Sequence, residues 1–440
     1  MASENSIGTP EQLRDPEYTP PLAQAIPLGI QHVMAMFASN ITPAFIIAGV
    51  AGLALPDKIF LVQMAMVFAG VATLIQTIGF GPVGARLPIV QGTSFAFIPV
   101  MIPIAKTAGM GAVFGAAVIG GIFHFFLGTI IGKLRRFLPP IVTGLVVLTI
   151  GLSLIPIGIQ YAAGGVPLMG KPEFGAGSHW LLAMVVIVVT LGVKFIFKGF
   201  LSTAAVLVGL IAGYLVAIPM GMANFSRIDG AGWFTLPDFM HFGFEINAAA
   251  VIGMCLMAVI SAIETVGDIS GITKGGAGRE ATDKEISGGT MADGLGTAIA
   301  GLFGGFPNTS FSQNVGLVSM TGVMSRHVVT FGAIFLIIAG LIPKVGAVIA
   351  AMPIAVLGGG VIVMFGMVVS AGLRMLGDVK MNRRNMIIIA VSLSFGLGLK
   401  AVPDAVQHLP QTLSMLMTTG LLPAAFLAII LNIFLPEETD

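Results

Sequence analysis

Three acidic side chains occupy stretches of the chain that are otherwise almost wholly apolar. Glu264 and Asp268 lie four residues apart in AIETVGDIS, and Asp293 lies in TMADGLG; of twenty Asp and Glu residues, only these three fall well within long apolar runs. A spacing of four places Glu264 and Asp268 on one helix face. A charge in the middle of a bilayer costs at least roughly 2.5–3.5 kcal/mol on insertion scales, so each of the three asks for a reason. A carboxyl in a low-dielectric interior readily takes up a proton, which makes all three candidate proton carriers. The plainer alternative is a buried carboxyl that only hydrogen-bonds neighbouring helix ends. His32, in QHVMAMF, is a fourth candidate, against a plain packing hydrogen bond between helices. His124 has no polar company in sequence and is read as structural.

A second concentration of chemistry runs from Gly304 to Gly322, GGFPNTSFSQNVGLVSMTG. It gathers Asn308, Thr309, Ser310, Ser312, Gln313, Asn314, Ser319 and Thr321 between apolar runs. Polar, non-helical backbone survives at membrane depth only when it is buried in protein or lines a cavity. The stretch therefore points to a binding site rather than to a lipid-facing helix.

The elements that must position these residues follow from composition. The chain has 440 residues, 56% hydrophobic and 9% charged, against about 25% charged in soluble domains. Runs of twenty or more apolar residues recur throughout, each long enough to cross about 30 Å of hydrocarbon as a helix. The fold class expected is an all-α polytopic membrane protein. A β-barrel would need short alternating segments, not runs such as MVVIVVTLGVKFIF. The net charge of +1 gives no reason to expect a nucleic-acid partner, and the single Cys255 excludes an intrachain disulfide. The polar first 23 residues lack a basic-then-apolar signal and read as a cytoplasmic tail. No metal-ligand cluster, P-loop, nucleophile elbow or dinucleotide fingerprint is present, so no catalytic residue, metal or cofactor is expected. The 25 methionines and many glycines fit filler and close helix packing.

Fourteen membrane segments are expected, near 24–50, 59–80, 87–106, 110–132, 138–160, 179–197, 200–222, 246–271, 286–304, 308–322, 327–344, 350–372, 385–402 and 413–435. The third and tenth are short and interrupted by polar residues. The longest loops fall near 162–178, 223–243 and 273–288. With both termini in the cytoplasm, 15 basic residues, Arg135 and Arg136 among them, fall inside and 6, Arg227 among them, outside, together all 21. This satisfies the positive-inside rule.

The chain also resembles itself. Thr93-Ser94-Phe95 recurs as Thr309-Ser310-Phe311 at an offset of 216, Pro140-Ile141 as Pro353-Ile354 at 213, and Leu201-Ser202 as Leu413-Ser414 at 212. Two halves of seven segments follow, and an odd number inverts the second half. Inverted repeats with paired, interrupted segments mark the binding site in secondary transporters. Here that pair is 87–106 and 308–322. The N-terminal dipoles of two half-helices meeting mid-membrane would suit an anionic or electron-rich ligand.

At Gln313 a family resemblance appears. QNVGLVSMTG, Gln313 to Gly322, is similar to the signature of the nucleobase–ascorbate transporter family: Gln/Glu/Pro, Asn, x, Gly, four free positions, Thr, then Arg/Lys/Gly. ETVGDIS at Glu264–Ser270, QHVMAMF at Gln31–Phe37 and GTSFAFI at Gly92–Ile98 resemble that family's eighth, first and third segments, and the likeness runs from about Pro20 to Pro436. The resemblance implies a core domain of segments 1–4 and 8–11 (24–134 and 223–345) and a gate domain of segments 5–7 and 12–14 (135–222 and 346–436), with tails 1–23 and 437–440. It further implies short antiparallel strands in segments three and ten, and a homodimer working by an elevator-like step. Carried over by motif, Glu264 and Gln313 would hold a heterocycle and Phe95 would stack on it. Backbone amides near Phe95 and Ser312, hence Ser94, Ala96 and Ser312, would add hydrogen bonds, and Asn314 would brace the site. Asp268, Asp293 and His32, with Glu264, would serve proton coupling or site geometry.

The chemistry is compatible. A purine-dione has a rim of N–H donors and C=O acceptors; a carboxylate accepts from two adjacent N–H groups, and a primary amide donates and accepts. Gln313 resembles the purine branch, which takes xanthine and uric acid, whereas the uracil branch has Glu there. Asp268 follows the xanthine-like pattern, and Gly322 stands where several members carry Arg or Lys. The expectation is a proton-coupled importer of xanthine and/or uric acid in the cytoplasmic (inner) membrane, with purine, protons and lipid as partners. A uracil carrier is the first alternative. An anion exchanger of this fold is less favoured, because no Lys or Arg lies near Gln313 in the chain. A membrane-embedded enzyme would need a nucleophile or metal set beside the carboxylates.

Overall fold

The computed structural model describes residues 7–134, 139–225 and 228–436. Residues 1–6 of the expected tail, Arg135, Arg136 and Arg227, and the tail 437–440 lie outside the described residues. The rest is mostly helical. Helices of ten or more residues are, in chain order, α1 Leu22–Val50, α2 Leu55–Ile78, α3 Ile98–Thr107, α4 Gly109–Gly128, α5 Pro140–Ala162, α6 Gly177–Ile196, α7 Ala205–Ala217, α8 Ala248–Ile272, α9 Asp283–Leu302, α10 Ser312–Thr321, α11 Arg326–Gly340, α12 Ile354–Gly377, α13 Arg383–Ala401 and α14 Leu421–Phe434.

The chain is a membrane protein, and its described residues hold eight helices long and apolar enough to span, or up to ten if two bent pairs each count as one. The eight are α1, α2, α4, α5, α6, α8, α12 and α13. The bent pairs join α11 to Pro343–Ala350 at 80° and Gln411–Met417 to α14 at 81°. Four of the fourteen expected segments do not meet that test. Segments 87–106 and 308–322 are part strand, with helices of ten residues each. Segment 200–222 holds only the 13 residues of α7. Segment 286–304 lies in α9, which carries Asp283, Lys284, Glu285 and Asp293.

Capping explains where several helices begin. Asn247 accepts from the Ala250 amide at 3.0 Å and starts α8; Asn382 accepts from the Asn385 amide at 2.8 Å and starts α13. The loop expected over 273–288 is shorter than that. A wide turn over Thr273–Ala277 continues α8, and α9 begins at Asp283 behind a capping box in which Thr282 and Glu285 satisfy each other's amides. The TDKE run carries that signal in plain sight.

Helices pack in reciprocal pairs: α2 against α11 and α4 against α9, α1 against α11 and α4 against α8, α6 against α7 and α13 against α14, and α5 against α12. Glycines permit close crossings. A Cβ on Gly294 would sit 2.2 Å from the Phe125 amide nitrogen, and one on Gly121 2.5 Å from that of Ala298, so α4 and α9 touch backbone to backbone.

Two short strands, β1 Gln91–Thr93 and β2 Asn308–Ser310, pair antiparallel with Gln91 opposite Ser310, Gly92 opposite Thr309 and Thr93 opposite Asn308. All six residues are buried. Each strand is pinned by a threonine of a neighbouring helix. Thr73 on α2 accepts from the Gln91 amide at 2.9 Å and donates to its carbonyl at 3.3 Å; Thr297 on α9 does the same for Asn308 at 3.0 and 3.3 Å. These bonds satisfy strand backbone that has no lipid-compatible alternative.

Candidate functional site

Each strand feeds directly into a short helix. After β1 the chain makes a tight turn of helix over Phe95–Phe97 and then α3; after β2 it enters α10 at Ser312. The opening turns of both face a cavity of about 240 Å³. Phe95, Ala96, Ser312 and Gln313 line it from the strand–helix units, Glu264 from α8, and Met364, Met367 and Arg374 from α12. The amides of Ser312 and Gln313, at the start of α10, have no carbonyl of their own helix behind them, whereas that of Asn314 donates to the Phe311 carbonyl at 3.0 Å.

Glu264 and Gln313 share this wall, and neither makes a hydrogen bond or ion pair to another side chain or backbone group among the described residues. Both keep their hydrogen-bonding capacity for what enters the cavity. Phe95 is half-buried and held edge-on by Phe365, centroids 5.3 Å apart at 83°, which fixes one aromatic face toward the space.

Behind the wall the polar groups are committed to one another. Asp268 accepts from Ser310 at 2.6 Å on one oxygen and from Ser312 at 2.7 Å on the other. Asp293 is fully buried and accepts from Gln91 at 2.5 Å and from Thr265. Ser310 also lies 3.4 Å from Thr265, so hydroxyls join the surroundings of the two aspartates. Ser261 on α8 donates to Thr309 at 3.1 Å, and Asn40 on α1 accepts from the Thr93 amide at 2.8 Å. The Asn314 amide donates to the His32 carbonyl at 3.0 Å and meets its Nδ1 at 3.0 Å, locking α10 onto α1.

Of the residues singled out in the sequence, Phe95, Ala96, Glu264, Ser312 and Gln313 therefore line one cavity. Asp268, Asp293, Asn314 and His32 sit behind it. Ser94 does not line it: its side chain is 1% exposed and its amide already donates to the Pro307 carbonyl at 2.9 Å. His124 is buried in α4 with neither ring nitrogen hydrogen-bonded to a described group.

Asn40, Gln91, Ser261 and Thr265 are not singled out in the sequence, because their partners lie on other segments. Arg374, also not singled out, corrects an expectation. No basic residue lies near Gln313 in the chain, but the fold brings Arg374 to the same cavity wall. It ends an apolar run, SAGLRMLG, and so reads as an ordinary cytoplasmic anchor.

The model of a family described as a permease family matches residues 23–405. Uric acid permease PucK of Bacillus subtilis is 38% identical over 418 residues, covering 93% of this chain and 95% of that protein. The xanthine permease of Bacillus subtilis is 35% identical over 415 residues, covering 93% of each. The fold is similar to the transmembrane domain of the cyanobacterial bicarbonate transporter BicA, with a TM-score of 0.64 at 15% identity, over 93% of this chain and 97% of that one. On the family match and these identities, the chain belongs to the Permease family of nucleobase–ascorbate transporters and is a transporter, not an enzyme.

Proposed function

We propose that the protein is a proton-coupled importer of xanthine and/or uric acid. The observation that carries this reading is that Glu264 and Gln313, two polar side chains without partners among the described residues, line one cavity beside Phe95. A carboxylate that accepts two N–H groups and an amide that both donates and accepts match the rim of an oxopurine. Phe95 supports its face, and the amides of Ala96, Ser312 and Gln313 reach its carbonyl edge. Unpaired groups in such a site would penalise the wrong base strongly. The relatives named a uric acid permease and a xanthine permease support the substrate class.

Glu264, at the cavity, is the residue where substrate and proton meet. Asp268, Asp293 and His32 hold the geometry around it and take part in coupling. Asn314 braces α10, and Ser94 braces the strand turn through its amide rather than touching substrate.

The architecture in this reading is fourteen segments in two inverted halves of seven. The strand register supports it. Adding the offset of 216 to Gly92 and Thr93 gives Asn308 and Thr309, so the pair Thr93–Asn308 maps onto the pair Thr309–Gly92. The reciprocal helix pairs also exchange between the halves, and each strand has its own pinning threonine, Thr73 or Thr297. Segments 1–4 and 8–11 form the core and 5–7 and 12–14 the gate, working as an elevator-like homodimer in the inner membrane with both termini cytoplasmic. The basic-residue count of 15 against 6 supports the orientation.

The test is uptake of labelled xanthine and urate into proteoliposomes under an imposed inward proton gradient. Accumulation that a protonophore abolishes is expected; failure to accumulate either base would sink the reading.

A further inference from the structure

The cavity at Glu264 does not end there. A second cavity of about 600 Å³ adjoins it and reaches Pro139 and Pro140 at the start of α5. Val147, Ile150, Glu264, Ser312, Ala371 and Arg374 line both spaces. Any solute passing between them must pass this ring. Among the described residues, Arg374 is the one basic residue in the lining of either. It is exposed, and it makes no hydrogen bond or ion pair to another described residue.

The charges around it are lopsided. Glu264 lines both cavities and Asp268 the larger one. A neutral oxopurine can pair with a carboxylate through its N–H groups. A purine that has lost a proton brings its own negative charge beside those carboxylates, and like charges at close quarters repel. Only a cation on the same wall offsets that. A guanidinium suits the task, since its planar fork pairs with an anionic N–C–O edge, and its charge is permanent. A merely interfacial arginine near the end of a spanning helix would turn to lipid headgroups and leave the cavity to apolar side chains.

We infer that Arg374 is a specificity-determining residue that admits anionic oxopurines, the urate class, by compensating their charge against Glu264 along the path between the two cavities. The inference rests on the purine reading above and adds a charge selector to it.

The experiment compares KM for labelled urate and labelled xanthine in proteoliposomes, in a mildly acidic buffer where urate is a monoanion and xanthine neutral. The wild-type chain, Arg374→Gln and Arg374→Lys are each tested. Arg374→Gln is expected to raise KM for urate about tenfold or more, the scale of one charge-assisted pair, and KM for xanthine less than about threefold. Arg374→Lys keeps the charge and is expected to retain most of the urate affinity. Equal loss for both purines in Arg374→Gln, no change for urate, or an Arg374→Lys protein as impaired as Arg374→Gln would each overturn the assignment. The maximal rate of xanthine uptake reports the amount of folded carrier, so misfolding is read separately from the KM values. A wild-type protein that takes up neither purine defeats the underlying substrate reading instead, so the two failures are distinguishable.

Discussion

Ser312, the first residue of α10, donates to Asp268 on α8 at 2.7 Å, and the other oxygen of the same carboxyl accepts from Ser310 of β2 at 2.6 Å. One side chain thereby ties a spanning helix to both the strand and the short helix of a broken segment. The interaction is charge-assisted when the carboxyl is ionised, and it sets the direction in which Ser312 and Gln313 face the cavity.

Removing either hydroxyl is expected to loosen that tie. Ser310→Ala leaves a buried acceptor short of one partner and should cost about 1.5–3 kcal/mol. Ser312→Ala should cost less, since its oxygen is partly open to the cavity, but should raise KM more. Thermal melting of detergent-solubilised protein and uptake KM, measured on both variants, check the split. A Ser310→Ala protein as stable as wild type counts against the arrangement.

At the cavity itself, Glu264→Gln is expected to abolish accumulation, because an amide sets an NH2 donor where the carboxylate has its second acceptor oxygen and cannot carry the proton. Gln313→Glu keeps shape but replaces a donor with an acceptor. It should weaken purine binding by about tenfold or more by setting like groups against a purine carbonyl. Binding of a panel of purines and pyrimidines to the purified variants measures both.

Packing makes a separate prediction. Gly294→Ala pushes a methyl to 2.2 Å from the Phe125 amide nitrogen, where only backbone could give way. Overpacking of this kind costs about 1–3 kcal/mol. The melting temperature should fall, whereas Gly366→Ala, where a Cβ meets nothing within 4 Å, should leave it nearly unchanged. Equal melting temperatures would show that α4 and α9 can part without penalty.

The loop before α8 carries a pH-sensitive contact. His241 stacks on Phe60 with centroids 4.0 Å apart and meets Asp238 at 3.0 Å and Asp57 at 3.1 Å. Burial lowers its affinity for a proton, but the hydrogen bonds and charges of Asp238 and Asp57 outweigh that and raise its pKa above the ordinary 6.5. A raised folded-state value means protonation favours the folded chain. The contribution is therefore complete below 6.5 and is lost as pH rises through the raised value. His241→Gln should flatten the difference in melting temperature between mildly acidic and alkaline buffer. An unchanged difference would remove His241 as its source.

Much of this is legible in the amino-acid sequence. Long apolar runs become α1, α2, α4, α5, α6, α8, α12 and α13, because twenty apolar residues have few other places to go. The polar stretch around Gln313 lies at a cavity, since such backbone must be buried or wetted. Glu264 lies beside it because a carboxyl at that depth needs a use. What was not legible depends on contacts between distant segments. The threonines that pin the strands are single residues in apolar runs, and nothing local distinguishes Thr73 or Thr297 from filler. Arg374 looked like an anchor because its helix ends there; only the packing of α12 across from α8 turns it toward the cavity. The early start of α9 is different: its capping box was present in the sequence, and hydropathy outweighed it.

The ladder between β1 and β2 has a mechanical corollary. Segments more than two hundred residues apart in the chain form a single jaw, clamped by mutual backbone bonds and by a threonine on either flank. Prying one half of the jaw from the other would strand amides and carbonyls in a dry interior. In the proposed elevator-like step, cargo held between Phe95 and Gln313 would be released when the walls around the jaw slide past it, with the grip itself travelling closed.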